Sequence, residues 1–460
     1  MGQNRDHDLS PVPNRRGFLR AGAGCLTLAD LLALRAQADT VQPLQRERTA
    51  LIIVWLQGGA SHLETYDPKP DAPSEVRGPY GAISTNVPGV HVSELLPMHA
   101  AVADKFSLLR SLAHTGICHQ QGNQQMFTGH PEQILKLRPE HPDMFCVANQ
   151  VRTERGSERA LPAYVGVNPI PYLGSSYMGP GWEPFVVGGD PNLPEFVVPG
   201  LGGGHLPDSG PLGDRMGLVR RLDSVCELFD DPVRGLAFDS FRERAFRMLT
   251  GPEARRAFDL SLEDPRIRDR YGRNTWGQRC LMARRLVEAG VDLVTTSLDG
   301  PLCGRVGNWD DHAVNHHIFD AMKLRCQVFD RAVSALIEDI HARNLDRRVM
   351  VVVTGEFGRT PKISYEADST SGVKQPGRDH WPHAVSLLLS GGGITPGQVV
   401  GSTDRTGAEV RSRKVGVRDL MATLYHHLGI DAARLTLTDR TGRPVPVLPT
   451  GQPIAELIGS

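Results

Sequence analysis

The seven residues Ala50-Leu51-Ile52-Ile53-Val54-Trp55-Leu56 are apolar without interruption. A strand with one wet face alternates polar and apolar side chains, so an unbroken run predicts a strand covered on both faces. This constrains the fold more than anything else in the chain, because such a strand needs one layer of structure above its sheet and another below. Val349-Met350-Val351-Val352-Val353 and Ala384-Val385-Ser386-Leu387-Leu388-Leu389 repeat the pattern, and Val291-Asp292-Leu293-Val294-Thr295-Thr296 reads as a fourth strand. The first run stops at Gln57-Gly58-Gly59, the second at Thr354-Gly355-Glu356, and the third at Ser390 followed by three glycines. Runs that end in polar or glycine-rich loops predict a mostly parallel sheet, whose ligands sit outside the carboxyl ends of its strands. The Gln57 and Glu356 loops are expected there.

Apolar residues three or four apart predict helices over Phe238 to Leu249, Thr275 to Ala289, His317 to Asn344 and Gly416 to Leu428. Strands and helices in alternation give an α/β class, a three-layer α/β/α sandwich. Hydrophobic residues at 40% and charged ones at 22% are those of a globular chain, read as one large domain over 49–460. Within it Leu161 to Leu212 is rich in Pro and Gly and lacks a period, so an irregular insertion or cap is expected, anchored by its aromatic residues. With 51 basic and 52 acidic residues the formal charge is -1, which gives no global field for nucleic acid or for an anionic membrane.

The N-terminus follows a different grammar. Arg15-Arg16 precedes Gly17-Phe18-Leu19, a weakly apolar run extends from Ala21 to Ala36, and Ala36-Gln37-Ala38 follows. This order is that of a twin-arginine export signal with its cleavage site. Residues 1–38 are read as the signal, 39–48 as a linker, the export machinery as a partner, and the mature protein as periplasmic or extracellular. The run is interrupted by Asp30 and Arg35 and is shorter than the ~20 apolar residues of a membrane span, so no stable span is expected. Cys25 would leave with the signal; Cys118, Cys146, Cys226, Cys280, Cys303 and Cys326 form no Cys-x-x-Cys pair and read as mostly buried thiols.

The 17 histidines gather near carboxylates. One cluster is Ser61-His62 with Asp67-Pro68-Lys69-Pro70; a second is His114, His119 and His130 around Asn123; a third is Trp309-Asp310-Asp311-His312 with His316 and His317. The fourth pairs Glu356-Phe357-Gly358-Arg359 with Arg378-Asp379-His380-Trp381. Divalent cations take carboxylate oxygen and imidazole nitrogen, so Asp310, Asp311, His312, Glu356, Asp379 and His380 are the candidate ligands of a Zn, Mn, Ca or Mg ion. Arg359 and Arg378 stand beside them, where a guanidinium can hold a phosphate or sulfate through two parallel hydrogen bonds. His119 is a candidate ligand, acid or base, and Gln57, His62 and Asn123 are candidate substrate contacts. Plainer readings stand beside these: an Asp-His pair can cap a helix, His316 and His317 can start one, His62 can order a Pro-rich loop, and Gln57 can bond backbone.

Taken in order, Gly58-Gly59-Ala60-Ser61-His62, Asp67-Pro68-Lys69-Pro70, the His-rich stretch ending Thr128-Gly129, Trp309-Asp310-Asp311-His312, Gly355-Glu356-Phe357-Gly358-Arg359-Thr360-Pro361 and Gly377-Arg378-Asp379-His380-Trp381-Pro382 resemble the exported domain-of-unknown-function 1501 family over nearly the whole chain. That family is similar, distantly, to the alkaline phosphatase and sulfatase superfamily, which implies a sheet with metals at its carboxyl edge. The match departs from the superfamily pattern at three places. Gln57 stands where an Asp ligand is usual, His119 beside Cys118 where a hydroxyl nucleophile is usual, and Glu356-Phe357-Gly358 where Asp-His-Gly is usual. Two functions follow as expectations: a metal-dependent hydrolase of anionic phosphate or sulfate esters, small or glycan, or a catalytically degenerate relative that binds anionic glycans or partner proteins.

Overall fold

A computed structural model describes residues 48–155, 161–198, 252–300, 302 and 307–458. The expected export signal, most of the expected linker, the expected helix from Phe238 to Leu249, the last part of the expected insertion, and Cys25, Cys226 and Cys303 lie outside the described residues. Cys146, Cys280 and Cys326 are buried free thiols, and Cys118 is a half-buried one.

The apolar runs become neighbours in one nine-stranded sheet. In chain order its strands are β1 (Ala50–Trp55), β2 (Phe106–Ala113), β3 (Tyr164–Asn168), β4 (Phe185–Val186), β5 (Leu293–Ser297), β6 (Val349–Thr354), β7 (Val385–Gly391), β8 (Val399–Val400) and β9 (Val415–Gly416). They lie in the order β8-β2-β7-β6-β1-β5-β3-β4, with β9 beside β2. β1 is central and parallel to both neighbours, with Trp55 level with Ser297 on one side and Thr354 on the other.

Alternate residues of β1 enter two different cores. Ala50, Ile52 and Val54 pack with residues of helices α3 (Thr275–Glu288) and α4 (Ile318–Ala342). Leu51, Ile53 and Trp55 pack with α1 (His119–Thr128), α2 (Met144–Arg155) and α5 (Val417–His427). The sandwich has three layers because every position of this strand is apolar; each aliphatic side chain so buried contributes about 1.5–3 kcal/mol.

Two expectations change. β7 runs antiparallel to β6 and to β2, with Gly391 level with Met350 at the start of β6. Its triple glycine therefore lies at the opposite edge from Gln57 and Glu356, and it is the beginning of β7, just after His380, that reaches their edge. An apolar run carries no direction, so burial on both faces is read correctly while polarity is not. The second change concerns the expected insertion, whose first part supplies β3 and β4 to the sheet, β3 pairing with β5. Among the described residues no helix is long and apolar enough to cross a membrane.

Candidate metal centre

The carboxyl ends of β1, β2, β5 and β6 and the amino end of β7 meet on one rim. After β1 the chain turns through Gly58, whose φ is +109° and where a Cβ would stand 2.4 Å from the backbone nitrogen of Asp310. Only glycine allows both, and the contact seats the Trp309-Asp310 segment on the end of β1, with Trp309 N–H donating to the Gln57 carbonyl at 2.8 Å. From β2 the chain reaches His119 at the start of α1. A two-stranded ribbon pairs His380 with Arg359 and brings the segment before β7 alongside.

On this rim three imidazoles face one carboxylate. His312 Nε2 and His380 Nε2 are 3.0 Å apart, and each is 3.2 Å from Asp310 Oδ1. His119 Nε2 is 3.5 Å from Asp310 Oδ2. Donor atoms of His119, Asp310 and His380 all lie within 4.8 Å of one another, close enough to share a cation.

The far side of each ring is occupied. His119 Nδ1 is 2.7 Å from Glu356 Oε1, His312 Nδ1 is 2.7 Å from Asp379 Oδ1, and His380 Nδ1 is 3.0 Å from the Ile117 carbonyl. A carboxylate or carbonyl oxygen only accepts, so each Nδ1 carries the hydrogen and donates it, and in the neutral ring the lone pair is left on Nε2, aimed at Asp310. Phe357 packs against His380 with ring centroids 4.1 Å apart.

Electrostatics follow from these contacts. Burial disfavours the charge of Asp310, but hydrogen bonds to His119, His312 and His380 and the Arg359 guanidinium hold it well below the usual carboxylate range. Burial also opposes protonation of His119, yet Asp310 and Glu356 outweigh it and lift that imidazole to about 9. His312 is raised, first by Asp310; His380 is lowered by its burial.

The other predicted residues go elsewhere. Asp311, next to Asp310, turns inward: it is fully buried against Arg325, with His316 Nε2 2.7 Å from Oδ1, so it is not on the rim. Glu356 is buried behind His119 and also accepts from Gly58 N–H at 2.9 Å, while its Oε2 has no hydrogen-bond partner. Asp379, half exposed, stands behind His312. Glu356 and Asp379 thus back the histidines and do not join Asp310.

Both arginines are corrected as oxyanion binders. Arg359 is fully buried and donates to the carbonyls of Gly58, Gly59, Trp309 and Arg378 and, at 2.8 Å, to Asp310. Arg378 is fully buried and donates to the carbonyls of Thr360, Pro361 and Val76 and to Glu64 at 2.6 Å. Planar donors already committed to main-chain oxygens beneath the rim hold loops together and leave no fork for a substrate. Gln57 accepts from the Trp55 indole at 2.9 Å; buried His62 bonds the Gly407 carbonyl at 2.8 Å; buried Asn123 donates to the Pro171 carbonyl at 3.0 Å. Each of the three ties a neighbouring segment, and none bonds His119, Asp310, His312 or His380.

The His-rich stretch also separates. Buried His114 donates from Nε2 to the Glu356 carbonyl at 2.6 Å and accepts from Gly116 N–H on Nδ1; burial lowers it to about 4 and keeps it neutral. His130 stacks on His141 beyond the other end of α1. Sequence reasoning missed the Ile117 carbonyl, which no side-chain pattern can signal, and the Phe357 ring, whose place between Glu356 and Gly358 was the available clue.

Solved structures with similarity over most of the chain include the PsFucS1 sulfatase from Pseudoalteromonas sp., at 11% identity and TM-score 0.38 over 91% of this chain and 73% of that one. The phosphonate monoester hydrolase SpPMH from Silicibacter pomeroyi matches at 14% identity and TM-score 0.36, covering 90% and 77%. A protein in the alkaline phosphatase superfamily from Vibrio parahaemolyticus matches at 9% identity and TM-score 0.35, covering 84% and 67%. No curated protein matches the chain. The family model described as "Protein of unknown function (DUF1501)" matches residues 48–458, and the chain belongs to that family.

Proposed function

We propose that this chain is an exported, metal-dependent hydrolase of phosphate or sulfate esters, working at the cluster of His119, Asp310, His312 and His380. One observation carries the reading: Nε2 atoms of His312 and His380 lie 3.0 Å apart beside a carboxylate oxygen, while both Nδ1 positions already donate. Neutral rings so oriented would oppose lone pair to lone pair, and a proton or a cation among them turns that repulsion into attraction. Three donors fit one cation: ligands about 2.0–2.1 Å from an ion are about 3.3 Å apart in a tetrahedron, and His312 Nε2, His380 Nε2 and Asp310 Oδ1 are separated by 3.0, 3.2 and 3.2 Å, with His119 beside the other oxygen of Asp310.

A bound divalent cation would polarise an ester oxygen or lower the pKa of a water. The chain's own residues do the rest. Arg359 holds Asp310 from below, and Glu356, Asp379 and the Ile117 carbonyl hold the rings. His119 opens α1, whose first turn has no acidic residue, so the positive end of that helix lies beside the cluster and favours an anionic group there. The second reading, binding of an anionic glycan or partner without turnover, is favoured by one observation, the commitment of Arg359 and Arg378 to carbonyl oxygens. Export through the twin-arginine machinery remains part of the proposal on the order of residues 14–38.

The test is a panel of nitrophenyl phosphates, diesters and sulfates with metal-loaded protein and its His380→Ala variant. Turnover that the variant loses supports hydrolysis; binding of inorganic phosphate or sulfate with no turnover moves the assignment to the second reading. Replacing Arg15 and Arg16 with Lys should hold the precursor in the cytoplasm, and unimpaired export refutes that part.

A further inference from the structure

We infer that the cluster is built for a single nitrogen-preferring cation of the zinc class, held by His119, His312, His380 and Asp310, and that it discriminates against calcium and magnesium. The inference rests on the metal-dependent reading and narrows it.

Donor chemistry is the first ground. Calcium and magnesium select oxygen, and calcium collects six to eight oxygen ligands. Here three of the four converging groups are imidazoles, and the carboxylate among them, Asp310, is already engaged by Arg359 at 2.8 Å. The neighbouring carboxylates are turned to other tasks: Asp311 is buried against Arg325, and Glu356 and Asp379 each accept an Nδ1 hydrogen, from His119 and His312, at 2.7 Å. Charge is the second ground. Of the converging groups only Asp310 is anionic, and Arg359 offsets it at 2.8 Å; the charges of Glu356 and Asp379 act through the rings they back, so a borderline ion gains from nitrogen lone pairs.

The backing groups are the third ground. Glu356 and Asp379 accept the Nδ1 hydrogens of His119 and His312 at 2.7 Å each. A carboxylate behind an imidazole fixes its tautomer and makes its other nitrogen a stronger donor, an arrangement that serves a metal bound through nitrogen and does nothing for one bound through oxygen.

The experiment uses the full chain, stripped with a chelator and reloaded with zinc, cobalt, calcium or magnesium chloride. Elemental analysis should find one equivalent of zinc retained against a roughly hundredfold excess of calcium and magnesium. Cobalt should give the visible absorption of a four-coordinate nitrogen-rich site. His380→Ala should lose zinc, and Asp379→Asn, at a half-exposed side chain that the fold does not need, should lower zinc affinity about tenfold with unchanged circular dichroism. Displacement of zinc by calcium or magnesium overturns the inference and leaves the metal-dependent reading standing. Zinc retained undiminished in both variants places the ion elsewhere and overturns the inference. A folded protein that takes up none of the four cations overturns both.

Discussion

Asp310 and Asp311 are consecutive in sequence and opposite in fate. Asp310 keeps 18% of its side chain exposed and meets three imidazoles and Arg359 on the rim. Asp311 has no exposure and lies between Arg325 and His316 in the interior. The difference lies in what balances each charge. Arg325 neutralises Asp311 and stacks its guanidinium 4.8 Å over the Trp309 ring, so the charge is balanced inside the core. Asp310 faces three imidazoles whose Nε2 atoms converge on it, so a proton or a metal among them completes its surroundings. One peptide unit thus divides a structural ion pair from a reactive cluster.

The largest effect should come from the interior member. Asp311→Ala strands the buried Arg325 guanidinium, and loss of one partner of a buried pair costs about 3–5 kcal/mol. Asp310→Ala removes one partner from an Arg359 that still has four carbonyls, so about 1–3 kcal/mol is expected there. Urea unfolding of both metal-free variants checks the order. A reversed order would mean that Asp310 is the structural residue and would dissolve the comparison.

Glu356→Gln tests the rim from behind. Both hydrogen bonds of Glu356 go to Oε1, from Gly58 N–H and His119 Nδ1–H, so glutamine can keep them and loses only the charge. Zinc affinity should fall about 10–100-fold, read by competition with a chelating dye, with the melting curve moved far less than in Asp311→Ala. An unchanged affinity would show that His119 needs no charge behind it.

Much of this was legible in the sequence, and the part that was not has a physical reason. Val349–Thr354 and Ala50–Trp55 announced themselves because both faces are apolar, and the convergence of the Trp309-Asp310-Asp311-His312 and Asp379-His380 segments was expected from residue chemistry. What a string of residues does not carry is side-chain direction around an irregular turn. Asp310 and Asp311 are chemically identical in the sequence, and only the packing of Trp309 beneath β5, with its indole donating to the Leu298 carbonyl at 3.0 Å, decides which one faces out. Arg359 and Arg378 misled for a related reason. A guanidinium beside candidate ligands looks the same whether it faces substrate or, like Arg359, ties four main-chain oxygens, and only burial tells the two apart.

The pH dependence of the metal-free protein offers a smaller effect. His119 is raised from 6.5 to about 9 by Asp310 and Glu356 acting against burial. A base raised on folding stabilises fully below pH 6.5 and loses that contribution as pH climbs through about 9. With a quarter of the ring exposed, about 1–2 kcal/mol should disappear over this window. Zinc affinity should rise over the same window, because a proton no longer competes for Nε2. Denaturant unfolding at each pH reads the first and calorimetry the second. Stability that holds flat from neutral pH through the window would place no proton between His119 and the carboxylates.

The smallest change in stability is expected at Asp379, and it sharpens the contrast most. Its side chain is 53% exposed and its one bond to the cluster is to His312 Nδ1–H, at 2.7 Å. Removing an exposed carboxylate changes stability by less than about 0.5 kcal/mol, so Asp379→Ala should melt like the parent. Yet without an acceptor behind it the His312 ring can rotate or carry its proton on Nε2, and an imidazole protonated there cannot donate to a cation. Zinc binding should therefore weaken by more than about tenfold, beyond the roughly tenfold loss of Asp379→Asn, whose carbonyl still accepts while its charge is gone. A stability loss as large as that of Asp311→Ala would instead make Asp379 part of the scaffold. Affinity lost at constant stability is the signature of a residue that acts on the metal through another side chain, and Asp311, which acts on the fold alone, gives the opposite pattern from the position next to the same histidine.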